Sequence, residues 1–169
     1  MMRKEIRLMV GPPGTGKSTY VNKVVKELTA EGCTVEVVSR DAVRRELTGS
    51  ATGKKYFAKE KQVFRTFLEM IQDAITNEVE VIFIDATHIN EASRHKILSR
   101  LTNVEDYVLV VETFKIPKEV AIERNDKRKG FAHVPLAAIE RMYKDFTVPT
   151  MKEFEEYKFV SIHLVNFYE

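Results

Sequence analysis

A chain of 169 residues, 44% hydrophobic and 31% charged, carries enough apolar side chain for one packed core and too balanced a charge for a disordered coil. Its 27 Lys and Arg against 25 Asp and Glu leave a net +2, which excludes a globally basic particle and leaves any polyanion to a local cluster. Cys33 is the single cysteine, so internal disulfides and multi-cysteine metal sites are excluded and a reducing, cytoplasmic setting is expected.

The first apolar run is interrupted by Glu5 and Arg7 and leads into glycines rather than a cleavage site, so it is expected to be structure and not a leader. Glu5–Val10 is predicted as a strand, followed by a glycine-rich loop and a helix over 18–30, where Tyr20, Val21, Val24, Val25 and Leu28 recur at helical spacing. After Gly32, the β-branched run TVEVVS (34–39) predicts a second strand, and 41–47 a short helix with an acidic first turn. The stretch TGSATGKK (48–55) reads as a surface loop. Residues 57–75 place Phe57, Phe64, Phe67, Leu68, Ile71 and Ile75 mostly three or four apart, which predicts the longest helix with its phenylalanines facing the core. EVIFID (80–85) has the continuous apolarity of a strand covered on both faces, and it ends in Asp85. A helix over 90–101, a strand over 107–113, a helix over 117–127 opening on Pro117, a helix over 135–146 and a strand over 158–165 complete the alternation. No run approaches the roughly 20 apolar residues of a membrane-crossing helix, so no membrane partner is expected. The predicted fold class is α/β, a five-stranded, mostly parallel sheet flanked by helices, in a single domain over 1–169.

The chemistry concentrates at predicted carboxyl ends of strands. GPPGTGKS (11–18) has the spacing of a phosphate-binding loop, set between a strand and a helix as that motif requires. Gly11, Gly14 and Gly16 would let backbone N–H groups converge on phosphate oxygens, Lys17 would reach the outer phosphates, and Ser18 would ligate magnesium at the positive end of the helix. Asp85 would orient the metal's water shell, directly or through water, against the plainer reading of a soluble stop to an apolar strand. Thr87, His88 and Asn90 follow in the same loop, where His88 would contact phosphate or substrate, or serve a surface or capping role.

Asp41 and Arg44, three apart at a helix start, would share a face. Asp41 could accept a proton from a substrate hydroxyl while Arg44 holds a neighbouring phosphate; a helix cap with a surface ion pair explains the pattern equally well. In ERNDKRKG (123–130), Arg124 and Arg128 share a face by four-residue spacing and suggest a basic lid over the donor, with a solvated helix face as the alternative. Lys54, Lys55, Lys59 and Lys61 would extend the path of a phosphate-bearing substrate or simply face solvent.

Five segments in this order, GPPGTGKST (11–19), SRDAVR (39–44), FIDAT (83–87), ERNDKR (123–128) and VPLAAIERMYKDF (134–146), resemble the kinase domain of the phage polynucleotide 5′-hydroxyl kinase family, a group of P-loop phosphotransferases. The resemblance implies a P-loop kinase fold and phosphoryl transfer from ATP or another NTP, with Mg2+, to the 5′-hydroxyl ends of DNA or RNA entering a tunnel. It implies Asp41 as general base, Arg44 as clamp on the acceptor's 3′-phosphate, Lys17 and Arg128 as charge stabilisers and Ser18 as magnesium ligand. Arg124 would be the lid arginine near the donor, with Asp85 and Thr87 in supporting roles. Gly11, Pro12, Pro13, Gly14, Thr15, Gly16, Lys17, Ser18 and Thr19 would cradle the nucleotide. His88 stands where related chains often have asparagine. The family's best-known member also carries a 3′-phosphatase; no DxDxT signature occurs here, so kinase activity without phosphatase activity is expected. A small-molecule P-loop kinase and a non-enzymatic nucleotide-dependent module are the alternatives.

Overall fold

The computed structural model describes residues 3–49 and 53–166. Its strands are β1 (Lys4–Val10), β2 (Val35–Ser39), β3 (Val81–Asp85), β4 (Tyr107–Phe114) and β5 (Val160–Val165). The helices are α1 (Lys17–Ala30), α2 (Arg40–Thr48), α3 (Gly53–Tyr56), α4 (Glu60–Thr76), α5 (Glu91–Leu98), α6 (Lys118–Asp126) and α7 (Leu136–Asp145), with 3-10 turns at Gly130–Ala132 and Met151–Phe154.

The strands lie in the order β2-β3-β1-β4-β5, and every pairing is parallel, so the mostly parallel sheet expected is a wholly parallel one. Strand alternation explains why the sheet is apolar on both sides. Ile6, Leu8 and Val10 of β1 point with Ile82 and Ile84 of β3 into the larger core, covered by Phe67, Ile71 and Ile75 of α4 and Ile97 of α5. Met9, Val81 and Phe83 point to the other face, where Val21 of α1 closes a smaller core. Each fully buried Leu or Ile of these strands contributes about 1.5–3 kcal/mol of burial free energy.

The helix that follows β1 packs on one face and the helix that follows β3 on the other, although β1 and β3 are neighbours. Their loops therefore diverge and leave a crevice at the carboxyl edge, where parallel α/β sheets bind ligands. The crevice is sutured at its base, because the Gly11 N–H donates to the Thr87 carbonyl at 2.8 Å.

Three local expectations change. The loop expected over 48–55 contains α3, while residues 50–52 fall outside the described residues. The long helix begins at Glu60 and not at residue 57; Phe57 therefore leaves the apolar stripe and is 55% exposed, whereas Phe67 is buried as expected. Arg128 lies beyond the end of α6 at Asp126, with Lys127 as C-cap, so helical four-residue spacing does not set its direction relative to Arg124.

Candidate active site

The loop from Gly11 to Gly16 is held by its own polar groups. The Thr15 hydroxyl, almost fully buried, donates to the Pro12 carbonyl at 2.8 Å, which makes this side chain a brace within the loop. Gly14 and Gly16 adopt φ of 79° and 94°, in the left-handed region that favours glycine. At Gly14 space matters as much as φ: a Cβ there would sit 2.6 Å from the Ala121 carbonyl of α6. Backbone thus touches backbone between the phosphate loop and the helix leading to the basic segment.

Lys17 opens α1 and folds its ammonium back over the loop, donating to the Gly11 carbonyl at 2.6 Å and the Pro12 carbonyl at 2.8 Å. An ammonium has a third N–H to offer. Burial pushes its pKa down to about 8, with Arg128 acting in the same direction and Asp85 and Asp41 opposing. Burial also raises the Asp85 carboxyl above the usual carboxylate range, against the pull of Lys17, and lowers Arg128, against the pull of Asp41. These mutual influences place Lys17, Asp41, Asp85 and Arg128, which are far apart in sequence, within electrostatic reach across one crevice. Ser18 and Thr19 lie exposed in the first turn of α1.

Asp41 and Arg44 stand on α2. Ser39 caps the helix by accepting the Ala42 N–H at 3.3 Å, so Asp41 is not required as the cap. Its Oδ1 accepts from Arg44 Nη1, and from the Tyr56 hydroxyl at 3.2 Å. Arg44, only 8% exposed, also donates from Nε and Nη2 to Glu60 at 2.6 and 3.1 Å. Its guanidinium lies 5.1 and 5.3 Å from the ring centroids of Tyr56 and Phe57. The guanidinium is thus held between two carboxylates and the Tyr56 side chain, with its edge at the cavity. Glu60 was invisible to sequence reasoning because it lies sixteen positions from Arg44; no local pattern signals that pairing.

Asp41 and Arg44 open into a cavity of about 650 Å³, lined also by Pro13, Tyr56, Phe57, Phe64 and Thr87. The cations on its wall are Arg40, Arg44, Lys96 and Arg141. Lys54, Lys55, Lys59 and Lys61 are exposed outside it, and Lys59 Nζ donates to the Leu47 carbonyl. The preference for core packing over a ligand contact holds for Phe67 in part, since it is both buried and at the cavity floor. Phe64, half-buried, packs against the larger core as expected and also lines the cavity, whereas Phe57 stands on the cavity wall away from the core.

His88 is not a surface residue: it is buried and lines the cavity beside Thr87. It is 6% exposed and its Nδ1 lies 2.8 Å from the Met9 carbonyl. Burial pushes its pKa down to about 4, so the ring is neutral near pH 7 and Nδ1–H donates to the carbonyl. Its backbone has φ 42°, a left-handed value that Asn and His adopt more readily than most residues. The His88 carbonyl accepts from Arg94 Nη1 at 3.0 Å, and Arg94, almost fully buried, also reaches Thr147 and Glu153.

Arg124 occupies the last turn of α6, half-buried, and Arg128 follows the helix with Nη1 3.4 Å from the Ala132 carbonyl. The residue that shapes this segment is Asn125, which the sequence did not single out. Its side chain donates to the Val134 carbonyl and accepts the Val134 N–H, both at 2.8 Å, closing 126–133 into a loop over the cavity. Val134 itself lines the cavity wall.

A glycine-rich loop and lysine at the switch point of a parallel sheet define a P-loop nucleotide-binding domain, with a cavity of about 650 Å³ beside it. Residues 6–149 match the AAA domain family, and the chain belongs to it. Its fold is similar to chains of two structures of the Pnkp1/Rnl/Hen1 complex, one described as an RNA repair complex. The first has a TM-score of 0.68 and 23% identity over 94% of this chain; the second has 0.59 and 22% over 73%. The chain spans 48% and 40% of the length of those two. A sugar kinase from Janibacter sp. HTCC2649 has a TM-score of 0.63 and 15% identity, with 96% of this chain and 84% of that one covered. The fold is therefore that of P-loop kinases. Among the described residues no helix is long and apolar enough to cross a membrane.

Proposed function

We propose that the chain is a polynucleotide 5′-hydroxyl kinase, which transfers the terminal phosphate of ATP or another NTP to the 5′ end of DNA or RNA. The observation that carries this reading is the cavity of about 650 Å³ in which Asp41 and Arg44 stand among Tyr56, Phe57 and Phe64 beside the phosphate loop. Aromatic faces with cations between them suit stacked bases joined by phosphates.

The donor phosphates lie over the N–H groups of the loop from Gly11 to Gly16, at the positive end of α1, and Lys17 holds their outer oxygens. Ser18 and Asp85 supply a hydroxyl and a carboxylate for a magnesium ion. Mg2+ is commonly bound by one or two carboxylates together with substrate phosphates, a donor set that Ser18, Asp85 and a nucleotide would complete. Bound there, the ion would neutralise charge on the phosphates. Asp41 accepts the proton of the 5′-hydroxyl as its oxygen attacks the terminal phosphorus; the bond to the bridging oxygen breaks, and the nucleoside diphosphate leaves with that electron pair. Arg44, held in place by Glu60, presents its guanidinium to the phosphate next to the reacting nucleotide. Arg128 and Lys17 meet the charge that grows on the leaving oxygens.

The test is transfer of labelled terminal phosphate from ATP to 5′-hydroxyl DNA and RNA oligonucleotides, compared with nucleosides, sugars and small alcohols. Transfer to oligonucleotides over the others supports the reading. Transfer to a metabolite alone would assign a small-molecule kinase, and ATP binding with no transfer a nucleotide-dependent module.

A further inference from the structure

Outside the catalytic pair, three cations gather around a single aromatic ring. Lys96 Nζ lies 4.4 Å from the centroid of Phe64, Arg100 Cζ 5.8 Å and Arg40 Cζ 5.9 Å. Arg40 donates to Glu60 at 3.2 Å, but no ion pair among the described residues includes Lys96 or Arg100. Both are exposed, and so are Lys61 and Arg65, which flank Phe64 on α4. Arg100 donates one N–H to the Lys96 carbonyl at 2.6 Å, a local tie that draws two like charges together at the end of α5 and leaves four N–H groups free. Two cations on one ring, neither paired with a carboxylate among the described residues, favour a bound anion.

The direction of this ridge identifies the anion. Arg40, Phe64 and Lys96 belong to the cavity wall, whereas Arg100 stands beyond it. The cations therefore lead from Asp41 and Arg44 outward, farther than a metabolite enclosed in the cavity reaches. We propose that Phe64, Lys96 and Arg100 form a track for the sugar-phosphate backbone of a single-stranded nucleic acid downstream of its 5′ nucleotide. The proposal rests on the polynucleotide reading of the cavity and adds the surface that would make the enzyme sensitive to strand length. DNA and RNA share the phosphate chemistry that the track would meet.

The experiment measures binding by fluorescence anisotropy across a salt series. The ligands are a 5′-hydroxyl dinucleotide and ten-nucleotide strands, each as DNA and as RNA; the proteins are the wild type and a K96Q/R100Q double variant. Both side chains are exposed, so an unchanged melting temperature serves as the folding control. Loss of two phosphate contacts is expected to lower the slope of log Kd against log salt by about 1.4 for the ten-nucleotide strands, since each contact to a single strand contributes about 0.7. The dinucleotide, which reaches Lys96 on the cavity wall but not Arg100, should lose no more than about half of that, about 0.7. An unchanged slope for the longer strands, or an equal loss for the dinucleotide, overturns the track while leaving the kinase reading intact. Binding of polyglutamate with the same slope loss also overturns it, because the ridge would then be a general polyanion patch. If the wild type neither binds nor phosphorylates any oligonucleotide but does phosphorylate a small alcohol, the underlying kinase reading fails, and the track with it.

Discussion

Replacing Gly14 by alanine separates two costs that glycine avoids in the phosphate loop. Gly14 and Gly32 have similar φ, 79° and 87°, and a left-handed backbone costs an L-residue about 1–2 kcal/mol. At Gly32 a new Cβ meets nothing within 4 Å, whereas at Gly14 it meets the Ala121 carbonyl at 2.6 Å and the Ala121 Cα at 3.3 Å. Overpacking of this kind costs about 1–3 kcal/mol more unless the neighbour moves. Gly32→Ala should therefore lower the melting temperature by about 2–8 °C, at about 2–4 °C per kcal/mol for a chain of this size. Gly14→Ala should either lower it further or weaken ATP binding as α6 is pushed off the loop. Thermal melts and calorimetric titration with ATP read the two outcomes. Equal melting temperatures for the two variants, together with wild-type ATP affinity for Gly14→Ala, would refute the close contact between loop and helix.

The pH dependence follows from Lys17. Its pKa is depressed to about 8, so ATP affinity should fall as pH rises through about 8, and binding above that pH should take up a proton, measured by calorimetry in buffers of different ionisation enthalpy. The folding term has the opposite sign: between about 8 and the unfolded value near 10.5 the unfolded chain binds more protons, so stability rises with pH across that window. Asp41→Asn should reduce single-turnover phosphoryl transfer about 100-fold or more with ATP affinity retained, because general-base contributions are typically 10²–10⁴-fold; an unchanged rate would remove Asp41 from the mechanism. Asn125→Ala orphans the N–H and carbonyl of Val134 at a cost of about 1–3 kcal/mol each where they stay buried. Faster amide exchange over 126–134, with a raised KM for the acceptor, is expected; unchanged exchange would show that Asn125 does not hold the segment.

The phosphate loop is legible in sequence because its signal is local: six residues between a strand and a helix fix where the N–H groups and the ammonium go. Asp41 and Arg44 were legible for the same reason, a three-residue spacing on one helical turn. Phe57 was misassigned because periodicity cannot say where a helix begins, and α4 starts three residues later than the apolar pattern suggests. The helix α3 escaped notice because four residues carry no periodic signal; Tyr56, packed against Arg44 and bonded to Asp41, anchors it through tertiary contact. The turn at Met151–Phe154 does have a local mark, the reciprocal cap of Thr150 and Glu153. Glu60, Asn125 and Arg94 act through partners distant in sequence or in backbone, so only the fold reveals them.

Arg94 has a consequence for how the site comes into being. The strap that steadies the loop after β3 is tied across 79 residues from His88 to Met9 and across 53 and 59 from Arg94 to Thr147 and Glu153. Contacts of such separation form late, after the cost of closing long loops has been met. A growing chain that has already made its glycine-rich loop thus still lacks the tie that steadies the Thr87 carbonyl beneath it. A fragment ending at Phe146 should bind ATP weakly despite containing the whole loop, and wild-type affinity in that fragment would contradict this order of assembly. On that order of assembly, the competence of the glycine-rich loop would depend on segments far downstream of it, on Thr147 and Glu153 as much as on its own glycines.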